Sequence, residues 1–143
     1  MTVANYFFED LSLGMRASYA RTVTSDDIES YAELSGDDNP LHLDEEYASN
    51  TMFKGCIVHG MLSAGFISKV IGTQMPGRGA IYLAQSLKFR APVRPGDTVD
   101  AYAEVTALDE ERRRVTLACL CKVGDTVVIE GEALVMVPAR GAA

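Results

Sequence analysis

Residues 57–71 read Ile-Val-His-Gly-Met-Leu-Ser-Ala-Gly-Phe-Ile-Ser-Lys-Val-Ile, and this stretch decides the fold. A helix built from it carries apolar side chains on nearly every side, which is typical of a helix that is buried on most sides. Gly72 and then Pro76-Gly77 are expected to end it. A helix of this kind needs a sheet curled around it.

Strand-like segments supply that sheet. Apolar and polar residues alternate in four segments after the helix, and turn residues at 95–97, 109–111 and 124–125 separate these segments. The four segments are 81–90, 99–106, 115–123 and 127–135, and an earlier strand is expected around 15–23. The pattern predicts an α+β protein with a hot-dog fold, in which a curved antiparallel β-sheet wraps around a long central α-helix.

A second helix is predicted upstream, over about residues 25–34. Thr24 and Asp27 have the spacing of a capping box, and Gly36 is the expected C-terminal stop. The Asn39-Pro40 step then keeps the chain out of the helical region. We expect a loop here, followed by a short helical turn around 44–48.

Composition predicts one domain over residues 1–143, with an apolar fraction of 48%. Residues 1–10 lack the features of a signal peptide, and the longest apolar stretch is too broken for a membrane span. Cys119 and Cys121 are two apart on one predicted strand face, which is poor disulfide geometry, so reduced thiols are expected. These features predict a cytoplasmic protein with no membrane partner.

The charge is unevenly distributed. A net charge of −7 argues against nucleic acid as a partner. Between Tyr47 and Gly96, however, there are six basic residues and no acidic one. This basic segment indicates either a local site for an anionic ligand or ordinary clustering of solvated side chains, and charge alone does not separate the two.

The loop before the central helix carries the chemistry. It reads Ser35-Gly36-Asp37-Asp38-Asn39-Pro40-Leu41-His42, and His59-Gly60 follows seventeen residues later. A carboxylate and an imidazole five residues apart are suited to holding one water for general acid–base catalysis. A free N–H at the start of a helix is suited to stabilising an oxyanion. An isolated aspartate or histidine would more often be a turn or packing residue, but the combination favours catalysis.

These residues resemble the hydratase motif of the MaoC-like hot-dog family, and within it the short (R)-specific enoyl-CoA hydratases. The resemblance continues through Val58–Leu62, Pro76–Gly79 and Tyr82–Phe89. It implies that Asp37 and His42 are catalytic, with Asp37 the main base, and that the Gly60 N–H binds the thioester oxygen.

The resemblance also implies secondary roles. Asn39 would help set the loop, and Ser68 would support the aspartate, although Ser63 lies on the same helix. Asp38 stands at a position that varies in the family. His59 is expected to be structural, bonding the loop or lining the helix start.

The substrate implied is an acyl-CoA thioester, so coenzyme A belongs to the substrate and no separate cofactor is expected. Its phosphates would pair with basic residues at the mouth of the site; the candidates are Arg78, Lys88, Arg90 and Arg94. Two histidines without further ligand spacing predict no metal site. A homodimer or higher homo-oligomer is expected, since hot-dog domains usually pair their sheets edge to edge.

The leading hypothesis is reversible syn hydration of trans-2-enoyl-CoA to (R)-3-hydroxyacyl-CoA. A thioesterase of the same fold and a dehydratase acting on an acyl carrier protein substrate are enzymatic alternatives. A non-catalytic acyl-CoA binding module is the alternative from a different class.

Overall fold

The computed structural model describes residues 2–141, so residues 1, 142 and 143 of the predicted domain lie outside the described residues. The strands are β1 (Arg16–Thr22), β2 (Ile81–Phe89), β3 (Thr98–Asp109), β4 (Arg114–Val123) and β5 (Thr126–Met136). The helices are α1 (Ser25–Ser35), α2 (Pro40–Leu43), α3 (Glu45–Ser49) and α4 (Gly60–Lys69). Two irregular turns complete the described elements, a 3₁₀ turn at Phe8–Asp10 and a π-helical turn at Val70–Gln74.

The five strands form one antiparallel sheet in the order β1-β3-β4-β5-β2. The sheet packs against α4, which contacts β1, β3 and β4. This arrangement confirms the predicted α+β class and the hot-dog fold. It also leaves β1 and β2 as the two edge strands of the described sheet.

The central helix begins three residues later than the apolar run suggests. The chain is extended at His59 (φ −55°, ψ 129°), and the helix starts at Gly60. Val58 is instead tied to the loop before β3, because its N–H donates to Val93 O at 2.8 Å. The N-terminus of α4 therefore lies near the protein surface.

The burial of α4 is one-sided. Leu62, Ser63 and Ile67 are buried against the sheet. Three residues on another face of the helix are exposed: Met61, Gly65 and Ser68. Within one chain, the all-round apolar helix therefore keeps an uncovered stripe.

In the segment before α4, the sequence predicted the helix α1 but not the helix α2. Thr24 and Asp27 form the predicted capping box of α1, and Gly36 ends the helix in the left-handed conformation (φ 82°). The loop expected at Asn39-Pro40 is instead the start of α2, with Asn39 as N-cap and Pro40 as its first residue. Proline is favoured at the first helical position. The N–H that proline lacks would have no acceptor within the helix there.

The inner faces of β3 and β4 are buried as the alternation predicts: Val99, Ala101, Ala103, Val105, Val115, Leu117, Cys119 and Cys121. In β5 a bulge opposite Cys121 and Lys122 shifts the register, and Val128 rather than Val127 is buried. β2 differs most, because its large apolar residues Ile81, Leu83 and Phe89 are between 42% and 53% exposed.

All three cysteines are free thiols. Burial raises the pKa of Cys119 to about 11 and that of Cys121 to about 12, so both are protonated at neutral pH. In the part of the chain that the structure describes, no helix has the length and apolar character needed to cross a membrane.

Gly131 on β5 lies close against the backbone of the edge strand β2. A Cβ at this position would lie 1.9 Å from the carbonyl oxygen of Ser86 on β2. Because that obstacle is backbone, the Gly131→Ala variant must displace the edge strand. We expect it to lose about 3 kcal/mol of unfolding free energy in urea titrations. The adjacent exposed variant Glu132→Ala should change stability by less than about 0.5 kcal/mol. Equal stability of Gly131→Ala and wild type would contradict this packing.

Candidate active site

A cavity of about 550 Å³ opens beside the N-terminus of α4. Its polar end is formed by Asp37, His42, His59 and Gly60, which come from three separate parts of the chain. The rest of the wall is mainly apolar. Its large apolar residues are Met52, Phe53, Ile57, Val58, Met61, Phe89, Val93 and Ile129. A small polar cluster at the end of an apolar cavity is typical of a ligand site.

Local hydrogen bonds hold the loop that carries Asp37. The Ser35 hydroxyl donates to Tyr31 O at the end of α1 and accepts from the Asp37 N–H at 3.1 Å. Asn39 caps α2, accepting from the Leu41 N–H at 3.0 Å, and its own N–H points to Asp37 Oδ1 at 3.4 Å. Asn39 thus joins the start of α2 to Asp37, and the exposed Asp37 carboxylate lines the cavity.

His42 lies on α2 and is fixed by one hydrogen bond. Its Nδ1 is 2.8 Å from the carbonyl oxygen of Ile57. A carbonyl only accepts, so Nδ1 carries the hydrogen and the neutral ring has its lone pair on Nε2. The α2 helix missed by the sequence analysis is therefore what brings His42 to this carbonyl.

Asp37 and His42 are close enough to share a water. A carboxylate oxygen of Asp37 and one ring nitrogen from each of His42 and His59 lie within 4.8 Å of one another. Since a hydrogen bond to water spans about 2.8 Å, one water molecule can bridge groups at this separation. The separation of Asp37 and His42 is therefore compatible with one shared water.

The same three residues do not suit a metal ion. The rings of His42 and His59 are stacked, with centroids 3.9 Å apart and planes 27° from parallel. The lone pair of an imidazole lies in the plane of its ring, so stacked rings do not direct both lone pairs to one ion.

Gly60 contributes a backbone donor. The first N–H groups of an α-helix have no intrahelical acceptor, and the first bond in α4 runs from the Leu62 N–H to His59 O at 3.1 Å. The Gly60 N–H therefore belongs to the free N-terminal donors of α4, where the helix dipole favours negative charge. A Cβ here would lie 2.6 Å from the Phe89 ring, so a side chain at position 60 would displace the ring that covers this site.

The structure does not bring Ser68 into the cavity. Ser68 is exposed on the uncovered side of α4, whereas Ser63 is 1% exposed and lines the cavity. The two serines are five positions apart, which is about 140° around a helix. The prediction for Ser68 is thus corrected, because Ser63 is the serine on the cavity side of the helix.

The predicted phosphate-binding residues are scattered. Arg78 and Lys88 are exposed and do not line the cavity. Arg90 does line it, but its guanidinium pairs with Glu130 on β5, and this pairing lowers the pKa of the Glu130 carboxyl. Lys88 also lies directly opposite Glu130 in the β2–β5 register. The basic segment is thus partly compensated by acidic residues of a neighbouring strand.

Arg94 has a different role from the predicted one. Its guanidinium donates to the carbonyl oxygen of Gly55 at 3.1 Å and to that of Phe53. Phe53 belongs to the cavity wall, so Arg94 braces the loop that forms that wall.

Comparisons with known proteins agree with this fold. The MaoC like domain family matches residues 11–128. An (R)-specific enoyl-CoA hydratase of Rhodospirillum rubrum is 58% identical over 136 residues, which are 95% of this chain and 94% of that protein. A 3-hydroxybutyryl-CoA dehydratase of Methylorubrum extorquens is 51% identical, covering 94% of this chain and 85% of that protein.

A solved structure gives the same result. The (R)-hydratase from A. caviae involved in PHA biosynthesis superposes with a TM-score of 0.88 at 43% identity, covering 91% of this chain and 99% of that one. The family match spans well over half of the chain, and it includes the Asp37–His42 loop and the start of α4. The chain therefore belongs to the MaoC-like domain family.

Proposed function

We propose that this protein is an (R)-specific enoyl-CoA hydratase, a hydro-lyase that adds water reversibly to trans-2-enoyl-CoA and forms (R)-3-hydroxyacyl-CoA. One observation carries the proposal. The Asp37 carboxylate and a His42 ring nitrogen lie within 4.8 Å of each other, in a cavity that also contains the first N–H groups of α4. Water activation and oxyanion stabilisation are the two requirements of this reaction.

The pair orients the water. His42 Nε2 and the Asp37 carboxylate are both acceptors, so each takes one hydrogen of the bound water. The lone pairs of the water oxygen then face the substrate. As that oxygen bonds to C3, the pair removes one proton, with Asp37 as the main base, and returns one proton to C2 from the same side. The product gains one hydrogen and one hydroxyl from a single water.

The negative charge that develops during attack passes to the thioester oxygen. In this proposal the Gly60 N–H at the start of α4 donates to this oxygen, and the dipole of α4 adds to the stabilisation. Asn39 supports the reaction through the loop, since it fixes the start of α2 and hence His42.

The apolar wall suits the hydrocarbon part of an acyl thioester. Arg90 lines the cavity and is the basic residue proposed to contact the polar part of coenzyme A. Residues 1–143 would act as one catalytic domain. The reaction needs no cofactor beyond the coenzyme A of the substrate, and neither a nucleic acid nor a membrane is proposed as a partner. Three free thiols are usual in a reducing compartment, which supports a cytoplasmic location.

A homodimer formed through β2 is part of the proposal. β2 is an edge strand that exposes Ile81, Leu83 and Phe89, and α4 presents an uncovered stripe that includes Met61. An edge strand with exposed apolar residues is a template for pairing with another chain. A second copy whose β2 pairs with this one would extend the sheet and cover both features.

The activity is tested by following the loss of enoyl absorbance with crotonyl-CoA and longer trans-2-enoyl-CoAs. We expect wild type to form only the (R)-alcohol. Asp37→Asn and His42→Ala should each lower kcat by about 100- to 10,000-fold, because each removes one of the two groups that hold the water. Asp38→Asn is the matched control; it changes the neighbouring aspartate, which does not line this cavity, and should keep wild-type activity.

Three outcomes would contradict the proposal. Release of free coenzyme A would identify a thioesterase. Binding of enoyl-CoA without turnover would identify a binding module. If the same acyl group is then hydrated on acyl carrier protein, the protein would be an enzyme for that carrier. An equal loss of activity in Asp38→Asn would mean that loop charge, rather than Asp37, is required.

The dimer is tested by light scattering after size-exclusion chromatography. Wild type should have twice the mass of one chain, and Leu83→Lys should shift the protein toward the monomer, because a charge at this edge opposes pairing. Ala20→Lys places the same charge on β1, at the opposite edge of the sheet, and should remain dimeric. A monomeric wild type, or dissociation only by Ala20→Lys, would refute pairing through β2.

A further inference from the structure

His59 contacts both members of the Asp37–His42 pair, although the reaction as described does not use it. Its side chain is 2% exposed and lies at the polar end of the cavity. It is also the N-cap residue of α4, and its carbonyl accepts the N–H groups of Leu62 and Ser63. One buried residue thus joins the helix start to the catalytic loop.

The first contact is a hydrogen bond to the Asp37 backbone. His59 Nε2 is 2.9 Å from the carbonyl oxygen of Asp37. Because the carbonyl has no proton to give, Nε2 carries the hydrogen, and the neutral ring has its lone pair on Nδ1. Nδ1 is buried and has no partner among the described residues, which is consistent with this assignment. The other hydrogen bonds of Asp37 join it to Ser35 and Asn39, within its own loop.

The second contact is a ring stack against His42. The two centroids are 3.9 Å apart, and the planes differ by 27°. The His42 ring is held at Nδ1 by Ile57 O, and the His59 face restricts its remaining rotation. Tyr31 of α1 also packs on the His59 ring, at 4.7 Å and 53°. The direction of His42 Nε2 is therefore set by the hydrogen bond of Nδ1 to Ile57 O and by the ring stack with His59.

We propose that His59 is a positioning residue for the hydration reaction. Its Nε2–H fixes the backbone of Asp37, and its ring face fixes the orientation of His42, so that both acceptors stay directed at one water. The inference rests on the proposed function for its kinetic consequence. The geometry that it invokes stands independently of catalysis.

Two substitutions separate the two contacts. His59→Phe keeps an aromatic face for His42 but removes the hydrogen bond to Asp37 O. His59→Gln keeps an N–H that reaches the position of Nε2 but removes the stacked ring. A residue that served only to fill the core would tolerate Phe better than Gln, because Gln loses apolar contact. A residue that positions Asp37 through its N–H would tolerate Gln better than Phe.

The kinetic test measures kcat and KM with crotonyl-CoA, and calorimetric binding of butyryl-CoA, which has no double bond to hydrate. We expect His59→Phe to lower kcat by about 100-fold while the Kd for butyryl-CoA stays within twofold of wild type. His59→Gln should retain more of the kcat than His59→Phe. Ile71→Val, a core variant away from the cavity, controls for general loss of stability and should leave kcat unchanged.

Two kinetic results would overturn the inference. One is a kcat for folded His59→Phe within twofold of wild type. The other is a kcat for His59→Gln no higher than that for His59→Phe. A wild-type protein without hydratase activity would instead refute the proposed function, and the inference would be decided by the spectroscopic test alone.

That test uses the fact that the chain has only two histidines. Nitrogen-15 correlation spectra of the imidazoles report which ring nitrogen carries the hydrogen, and the His42→Ala variant assigns the two rings. We expect the hydrogen on Nε2 in His59 and on Nδ1 in His42, with the His42 signals shifting toward a mixture of tautomers in His59→Gln, which removes the stacked ring. A hydrogen on Nδ1 of His59, or unchanged His42 signals in His59→Gln, would overturn the inference.

Discussion

The start of α4 is the constraint on which the rest of the structure depends. An apolar helix has to be covered, and β1, β3 and β4 cover one side of it. The chain enters this helix through an extended residue, His59, whose carbonyl accepts the first intrahelical hydrogen bonds. Its side chain reaches back to the loop at Asp37. The residue that begins the buried helix therefore also anchors the loop that contains Asp37.

The same junction explains why the site is partly exposed. Asp37 has to meet a substrate and lies at the surface, whereas His59 behind it is buried. A buried imidazole with one fixed hydrogen bond is a rigid support for an exposed carboxylate. Apolar residues that line or adjoin the cavity, such as Met61 and Phe89, remain largely uncovered within one chain. The uncovered edge and the site share this region, so the proposed dimer would cover the rim of the cavity as well as the sheet edge.

Some features of the fold follow from signals a few residues long. The capping box at Thr24 and the glycine at position 36 fix the ends of α1, and the Gly124-Asp125 turn joins β4 to β5 as predicted. Alternation correctly assigned the buried faces of β3 and β4, because a strand has a strict period of two. The bulge in β5 interrupts that period, and Val128 rather than Val127 is buried there. The proline that begins α2 was a local signal too, but it was interpreted only as a break.

The sequence by itself determined the fold class and the loop that contains Asp37 and His42, since both depend on local spacing. Tertiary structure alone decided which side chains of one helix or strand reach the cavity. Ser63 rather than Ser68 faces it because of the rotation of α4 against the sheet. Arg94 braces the wall and Arg90 pairs with Glu130 because distant segments supply their partners. The role of His59 has the same origin, since its contact with Asp37 joins residues 22 positions apart, a separation that no local period specifies.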